Sequence, residues 1–212
     1  MAYMDVEFLL AVLGVILLSM SLHEVAHAYV AYWLGDDTAR AQGRLTMNPI
    51  KHIDPVMSIA VPLLLAATGG PIFGGAKPVP LNTNRIKSGD MGVALVAVAG
   101  PLVNLLLAYI AFCVVYYAQV PIDSGWGRYG LLMVQVNLGF FVFNMIPIPP
   151  LDGSRILYAF APGFIQSAME KLERFGLLIV LGAVILLSPF LMSFMGSAVR
   201  FIIVDVFGRL VI

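Results

Sequence analysis

His23-Glu24-Val25-Ala26-His27 is the first place in this chain where residue types and spacing could do chemistry. Positions i and i+4 share one helix face, so two imidazole nitrogens can meet one metal ion, with a carboxylate beside them to take a proton from water. Ser19 lies one turn earlier on that face. A catalytic zinc ion usually takes three protein ligands and keeps a fourth position open, so a third ligand must come from elsewhere. His52, in a polar loop, is the one other histidine. Asp152 is the distinctive carboxylate, because it closely follows an apolar run in Asn144-Met-Ile-Pro-Ile-Pro-Pro-Leu-Asp-Gly153. Pro147, Pro149 and Pro150 must end a helix there and Gly153 permits an unusual turn, which presents Asp152 on irregular backbone. The same carboxylate could instead cap a helix over 154–160, and a cap and a ligand are compatible.

The elements that position these residues are membrane helices. Of 212 residues, 60% are hydrophobic and 11% charged, and mean hydropathy is +0.95, far from the charge share of a soluble domain. Twelve basic and twelve acidic residues leave no net charge, so no basic field exists for nucleic acid. The single thiol, Cys113, excludes an internal disulfide. Spanning the roughly 30 Å hydrocarbon core takes about 20 apolar residues. Four stretches qualify: 6–34, 91–119, 129–149 and 175–196. The 55–68 run is too short and carries Pro62, so it either spans poorly or re-enters. The 197–212 tail suits an interfacial helix. The expectation is an all-α polytopic membrane protein with about four transmembrane helices, a re-entrant or interfacial segment and a short membrane-associated β-hairpin. Residues 1–212 read as one integral-membrane domain, with a core over 6–160 and C-terminal helices over 161–212. The first span carries charges and exceeds a signal-peptide core, so no cleaved leader is expected.

The hairpin is expected over 38–46, where Gly43 separates two polar, extended halves. Residues 76–81 are also extended, because each residue before a proline leaves the helical region. Unpaired backbone near a membrane is costly, so either segment could accept an unwound substrate as an added strand. Inside the first span, one ionisable group costs about 2.5 to 3.5 kcal/mol on insertion scales, which makes His23, Glu24 and His27 a functional cluster by default.

His23-Glu24-x-x-His27, Gly100-Pro101-x-x-Asn104 and Asn144-x-x-Pro147-x-x-Pro150-Leu151-Asp152-Gly153, in this order, resemble the site-2 protease family of intramembrane zinc metalloproteases. The resemblance covers roughly 9–158. It implies one catalytic Zn2+ held by His23, His27 and Asp152, with Glu24 as catalytic base. It also implies that Asn104 and Asn144 bind or polarise the substrate backbone. Gly35-Asp-Asp-Thr, Gln42-Gly-Arg-Leu-Thr-x-Asn-Pro, His52-Ile-Asp-Pro and Ala76-Lys-Pro-Val-Pro look like a minimal bacterial or archaeal branch, with no room expected for a PDZ or CBS module. The substrates implied are transmembrane proteins in a lipid bilayer. Read without the resemblance, Asn104 suits an interhelical hydrogen bond equally well, Asn144 suits an oxyanion donor, and Asn137 a packing residue.

If His23, His27 and Asp152 share a metal, an even number of crossings must separate them. Spans 91–119 and 129–149 supply two, so 55–68 should not cross. That topology puts nine of the twelve Lys and Arg residues on one side and three on the other. The positive-inside rule then places the active site toward the cytosol in a multi-pass plasma-membrane protein, with both termini outside. A second function class, a non-proteolytic metal-binding membrane scaffold or transport component, shares the ligands. Glu24 speaks against a scaffold, since structural zinc needs no base, and no inverted repeat supports a transporter.

Overall fold

The computed structural model describes residues 6–60, 63 and 76–211. Helix α1 spans Val6–Trp33 and α2 is one turn, Thr38–Ala41. After a 3-10 turn at Pro49–His52, a π-helical turn at Pro55–Ala60 and a second 3-10 turn at Thr83–Arg85 comes α3, Gly89–Tyr117. Helix α4 is Gly125–Asn144, α5 Asp152–Phe160, α6 Gly163–Glu173 and α7 Gly176–Leu186. Helix α8, Ser188–Phe201, runs through a π-helical stretch, Ile202–Phe207, into α9, Gly208–Val211. The described residues are helical with no strand.

Helix α3 is the centre, packed against α1, α4 and α5. Its buried face is small or polar: Ala94, Ala97, Gly100, Pro101, Asn104 and Ala108. Its other face exposes Leu95, Leu102, Leu106, Ile110 and Val114. Small residues inward let helices approach closely, and large aliphatic groups outward match lipid. Among the described residues three helices are long and apolar enough to cross a membrane: Val6–Trp33, Gly89–Tyr117 and the continuous Ser188–Val211. Helix α4 has 20 residues, about 30 Å at 1.5 Å each, but Arg128, Gln135, Asn137 and Asn144 dilute its apolar character.

Two expectations are corrected at the C-terminus. The 175–196 span is broken, because Pro189 at the start of α8 has no N–H for the preceding turn, so α7 ends at Leu186. The tail read as interfacial is instead the second half of the long α8–α9 helix. Asp205 and Arg209 are paired one turn apart at 3.3 Å, which moderates their cost there.

The expected β-hairpin over 38–46 is also absent. Ala39 and Ala41 favour helix, and the Asp36 carboxylate accepts from both the N–H and the hydroxyl of Thr38. Gly43, with φ +64°, ends this helix. Its N–H reaches the Arg40 carbonyl at 3.0 Å and that of Arg44 reaches the Ala39 carbonyl at 2.8 Å, the Schellman pattern. A positive-φ glycine serves a hairpin or a helix C-terminus, and the buried contact of Ala39 with Ala28 and Val79 decides for helix. Residues 61–62 and 64–68 of the 55–68 run lie outside the described residues.

Asp36, 1% exposed, ties the loops together. One oxygen holds Thr38, and the other accepts the Asn82 N–H at 2.6 Å. Lys87 N–H bonds the Leu34 carbonyl at 2.8 Å. Residues 76–88 therefore sit at the same end of α1 as the loop that leaves it. Burial alone would raise the Asp36 pKa. The Thr38 hydroxyl and the backbone N–H groups of Asn82 and Thr38, with Arg85 nearby, override this and hold it below the ordinary 3.8.

A folded-state pKa below the unfolded value stabilises the protein at pH above about 4, and that stability is lost as pH falls through 3.8 toward the folded value. Asp36→Asn is therefore expected to lower neutral-pH stability by about 1.5 to 3 kcal/mol and to flatten the acid limb. Thermal unfolding in detergent across pH 3 to 7 measures both.

Candidate metal centre

His23 and His27 lie one turn apart on α1, 2% and 6% exposed. Asn104 Oδ1 is 2.6 Å from His23 Nδ1, and the Val96 carbonyl is 2.7 Å from His27 Nδ1. Both partners are acceptors, so each Nδ1 carries the proton and each Nε2 presents a lone pair. These two Nε2 atoms are 3.0 Å apart. Asp152 closes the group, with Oδ2 at 3.1 Å from His23 Nε2 and Oδ1 at 3.4 Å from His27 Nε2.

Two lone pairs and a carboxylate at such distances need a cation between them. Ligand atoms about 2.0 to 2.2 Å from a tetrahedral zinc ion lie about 3.3 to 3.6 Å from one another, and the three observed separations are close to that. Asp152 Oδ2 is buried without a hydrogen-bond partner, as an atom reserved for a metal would be. Gly100 faces the same point: a Cβ there would lie 2.5 Å from His27 Nε2 and 2.6 Å from His23 Nε2. Among the described residues this is the one group of three side chains that could hold a metal.

The approach of α5 explains how Asp152 arrives. Leu151 caps this helix in extended conformation and Asp152 is its first residue, with no side-chain cap bond. The carboxylate is thus spared the capping role. Gly153 permits the contact, since a Cβ there would lie 2.3 Å from the Met145 carbonyl at the end of α4.

Glu24, 8% exposed, lines a cavity of about 340 Å³ together with both histidines, Asp152, Val79 and Asn144. Its Oε2 accepts the Val79 N–H at 2.7 Å. Asn144 Nδ2 donates to the Phe140 carbonyl at 3.0 Å, which leaves its second N–H for the cavity. Asn104 is fully buried behind His23 and donates to Asn137 Oδ1 at 3.0 Å and the Ser19 carbonyl at 3.4 Å. It does not line the cavity. Asn137, read from the sequence as packing, extends this chain by donating to the Met133 carbonyl at 2.9 Å. His52 is buried apart from the metal group, with Nε2 at 2.8 Å from the Thr46 carbonyl.

The backbone of 77–79 is not a free strand edge. Lys77 N–H bonds the His52 carbonyl at 2.8 Å, Val79 N–H bonds Glu24, and Arg44 takes the carbonyls of Lys77 and Pro78. The signal that could have shown this is Pro78-Val79-Pro80, which offers one N–H between two residues that have none.

Apolar helices enclosing a His-His-Asp group with an adjacent glutamate define a membrane metallopeptidase. Residues 119–188 match the model of peptidase family M50. The chain is 40% identical over 173 residues to "Putative zinc metalloprotease YwhC" of Bacillus subtilis, covering 78% of this chain and 76% of that one. It is 34% identical over 186 residues to "Putative zinc metalloprotease Rip2" of Mycolicibacterium smegmatis, covering 86% and 68%. No solved structure matches. The chain belongs to peptidase family M50, the site-2 protease family, and is a zinc metalloendopeptidase.

Asn104 orients His23 through the ring nitrogen that faces away from the metal group, and loss of such a partner typically costs about 10- to 100-fold in metal affinity. Asn104→Leu is expected to fall in that range in zinc-buffer titrations. Gly100→Ala is expected to lose zinc outright while α3 stays helical, read by metal content beside circular dichroism.

Proposed function

We propose that this protein hydrolyses peptide bonds in or near the transmembrane segments of membrane-protein substrates, with His23, His27 and Asp152 holding one zinc ion and Glu24 as the base. The observation that carries this is the convergence of two imidazole lone pairs and a carboxylate inside an apolar helix. His23 lies ten residues from the Trp33 end of α1, about 15 Å along the helix, so the group sits at membrane depth. A closed structural site would want a fourth protein ligand, and the group found among the described residues has three.

Zinc supplies Lewis acidity, which polarises a carbonyl and brings the ionisation of water near neutral pH. Glu24 receives the proton from the attacking water and passes it to the leaving amine. The free N–H of Asn144 faces the developing oxyanion. Asn104 acts behind His23, and Asn137 holds Asn104. A substrate helix hides its carbonyls in its own hydrogen bonds, so it reaches this cavity unwound.

For topology, residues 76–88 return to the same end of α1 as Leu34 and Asp36. This supports the reading that 55–68 re-enters rather than crosses, so that the positive loops share one side. On that basis the site faces the cytosol of a plasma-membrane protein. Reporter fusions within 77–87 are expected to report cytosolic placement.

The decisive experiment is cleavage of a membrane-inserted reporter helix in detergent by zinc-loaded protein. Wild type is expected to cut, and Glu24→Gln to hold equal zinc with cleavage reduced by about 10³-fold or more. Cleavage that survives in Glu24→Gln would overturn the assignment of the base.

A further inference from the structure

Glutamate has three side-chain torsions, and ordering it costs rotamer freedom. A base that must meet water at one place needs an anchor. Glu24 has one in the Val79 N–H, 2.7 Å from Oε2, which leaves Oε1 as its unanchored oxygen. The donor sits on an unusual strap. Pro78 and Pro80 have fixed φ and no N–H, and Lys77 and Val79, each before a proline, are held extended. The strap therefore carries one donor at its centre, on backbone with little freedom.

Arg44 secures that strap. It is 9% exposed and its Nη2 donates to the Lys77 carbonyl at 2.7 Å and the Pro78 carbonyl at 3.4 Å. It makes no ion pair among the described residues, and its Nε is buried without a partner. Burying a guanidinium against two backbone carbonyls, with no carboxylate opposite, is expensive unless their placement matters. Helix α2 and its Gly43 terminus deliver Arg44 to this point. The carbonyl of His52 holds the strap from the other side through Lys77 N–H.

We propose that the Pro78-Val79-Pro80 strap positions Glu24 for catalysis, with the Val79 N–H as the anchor and Arg44 as the positioning residue that fixes the strap. This rests on the reading of Glu24 as the base. The hydrogen bond runs from Arg44 through two carbonyls and one amide to the carboxylate, with no contact between Arg44 and the cavity. A misplacement of about 1 Å in a reacting group costs up to about 100-fold in rate.

The test is steady-state cleavage of the reporter helix by zinc-loaded Val79→Pro, Arg44→Ala, Arg44→Lys, the Val79→Pro/Arg44→Ala double variant and Glu24→Gln, with zinc content and melting temperature measured on each. Val79→Pro deletes the donor while keeping extended backbone. It is expected to lower kcat about 10- to 100-fold with KM and zinc content unchanged. Arg44→Ala should fall in the same direction, Arg44→Lys should recover part of the loss, and the double variant should be no worse than the larger single one, because both act on one contact. A rise in kcat in Val79→Pro would overturn the proposal by making the strap a restraint on the base. So would unchanged kcat in both single variants, additive losses, or a change confined to KM. If Glu24→Gln still cleaves, the assignment of the base has failed; if it alone is inactive, the strap proposal has failed and the base stands.

Discussion

Two imidazole lone pairs held 3.0 Å apart, with a carboxylate against both, repel one another unless a cation lies among them. The surrounding structure is arranged to hold that unfavourable group in place. Asn104 and the Val96 carbonyl take the outward ring protons, so both rings turn the same kind of atom inward. Gly100 removes the one side chain that would occupy the space. Gly153 lets α5 come close enough for Asp152 to complete the set. Five residues on two other helices thus act on two histidines of α1.

The bundle is built around α3 because polar groups cannot be left unpaired in lipid. The small inward face of α3 brings its backbone near α1, which allows a main-chain carbonyl to reach an imidazole. Asn104 then passes the polar chain to Asn137 on α4, so three helices share one hydrogen-bond path. In a low-dielectric interior each link is stronger than in water, and a broken link is correspondingly costly. The outward Leu, Ile and Val residues of α3 need no specific partner, since lipid solvates them.

The candidate metal group was the most legible part of this chain. The two histidines and the glutamate announce themselves by spacing inside an apolar run, and Asp152 by the prolines before it. Their convergence required only that α3 and α4 return the chain to the same side. Less legible were elements whose local signals serve two structures. Gly43 fits a hairpin or a helix end, and the contact of Ala39 with Ala28 and Val79, distant in sequence, chose between them. The C-terminal boundary failed because apolar composition continues across Pro189, which breaks a helix without changing hydropathy. Asp36, Asn137 and Val79 could not be assigned from spacing, since their partners lie 33 to 55 residues away.

The engaged backbone of the 77–79 strap has a consequence for ligand design. Inhibitors of proteases are often extended peptides that borrow an exposed strand edge for affinity. Here the N–H groups of Lys77 and Val79 and the carbonyls of Lys77 and Pro78 are already engaged within the protein, so this stretch of the cavity wall has no N–H to spare for a peptide ladder. Selective compounds for this enzyme would gain more from filling the space between Leu81, Thr83 and Arg155 than from imitating a β-strand.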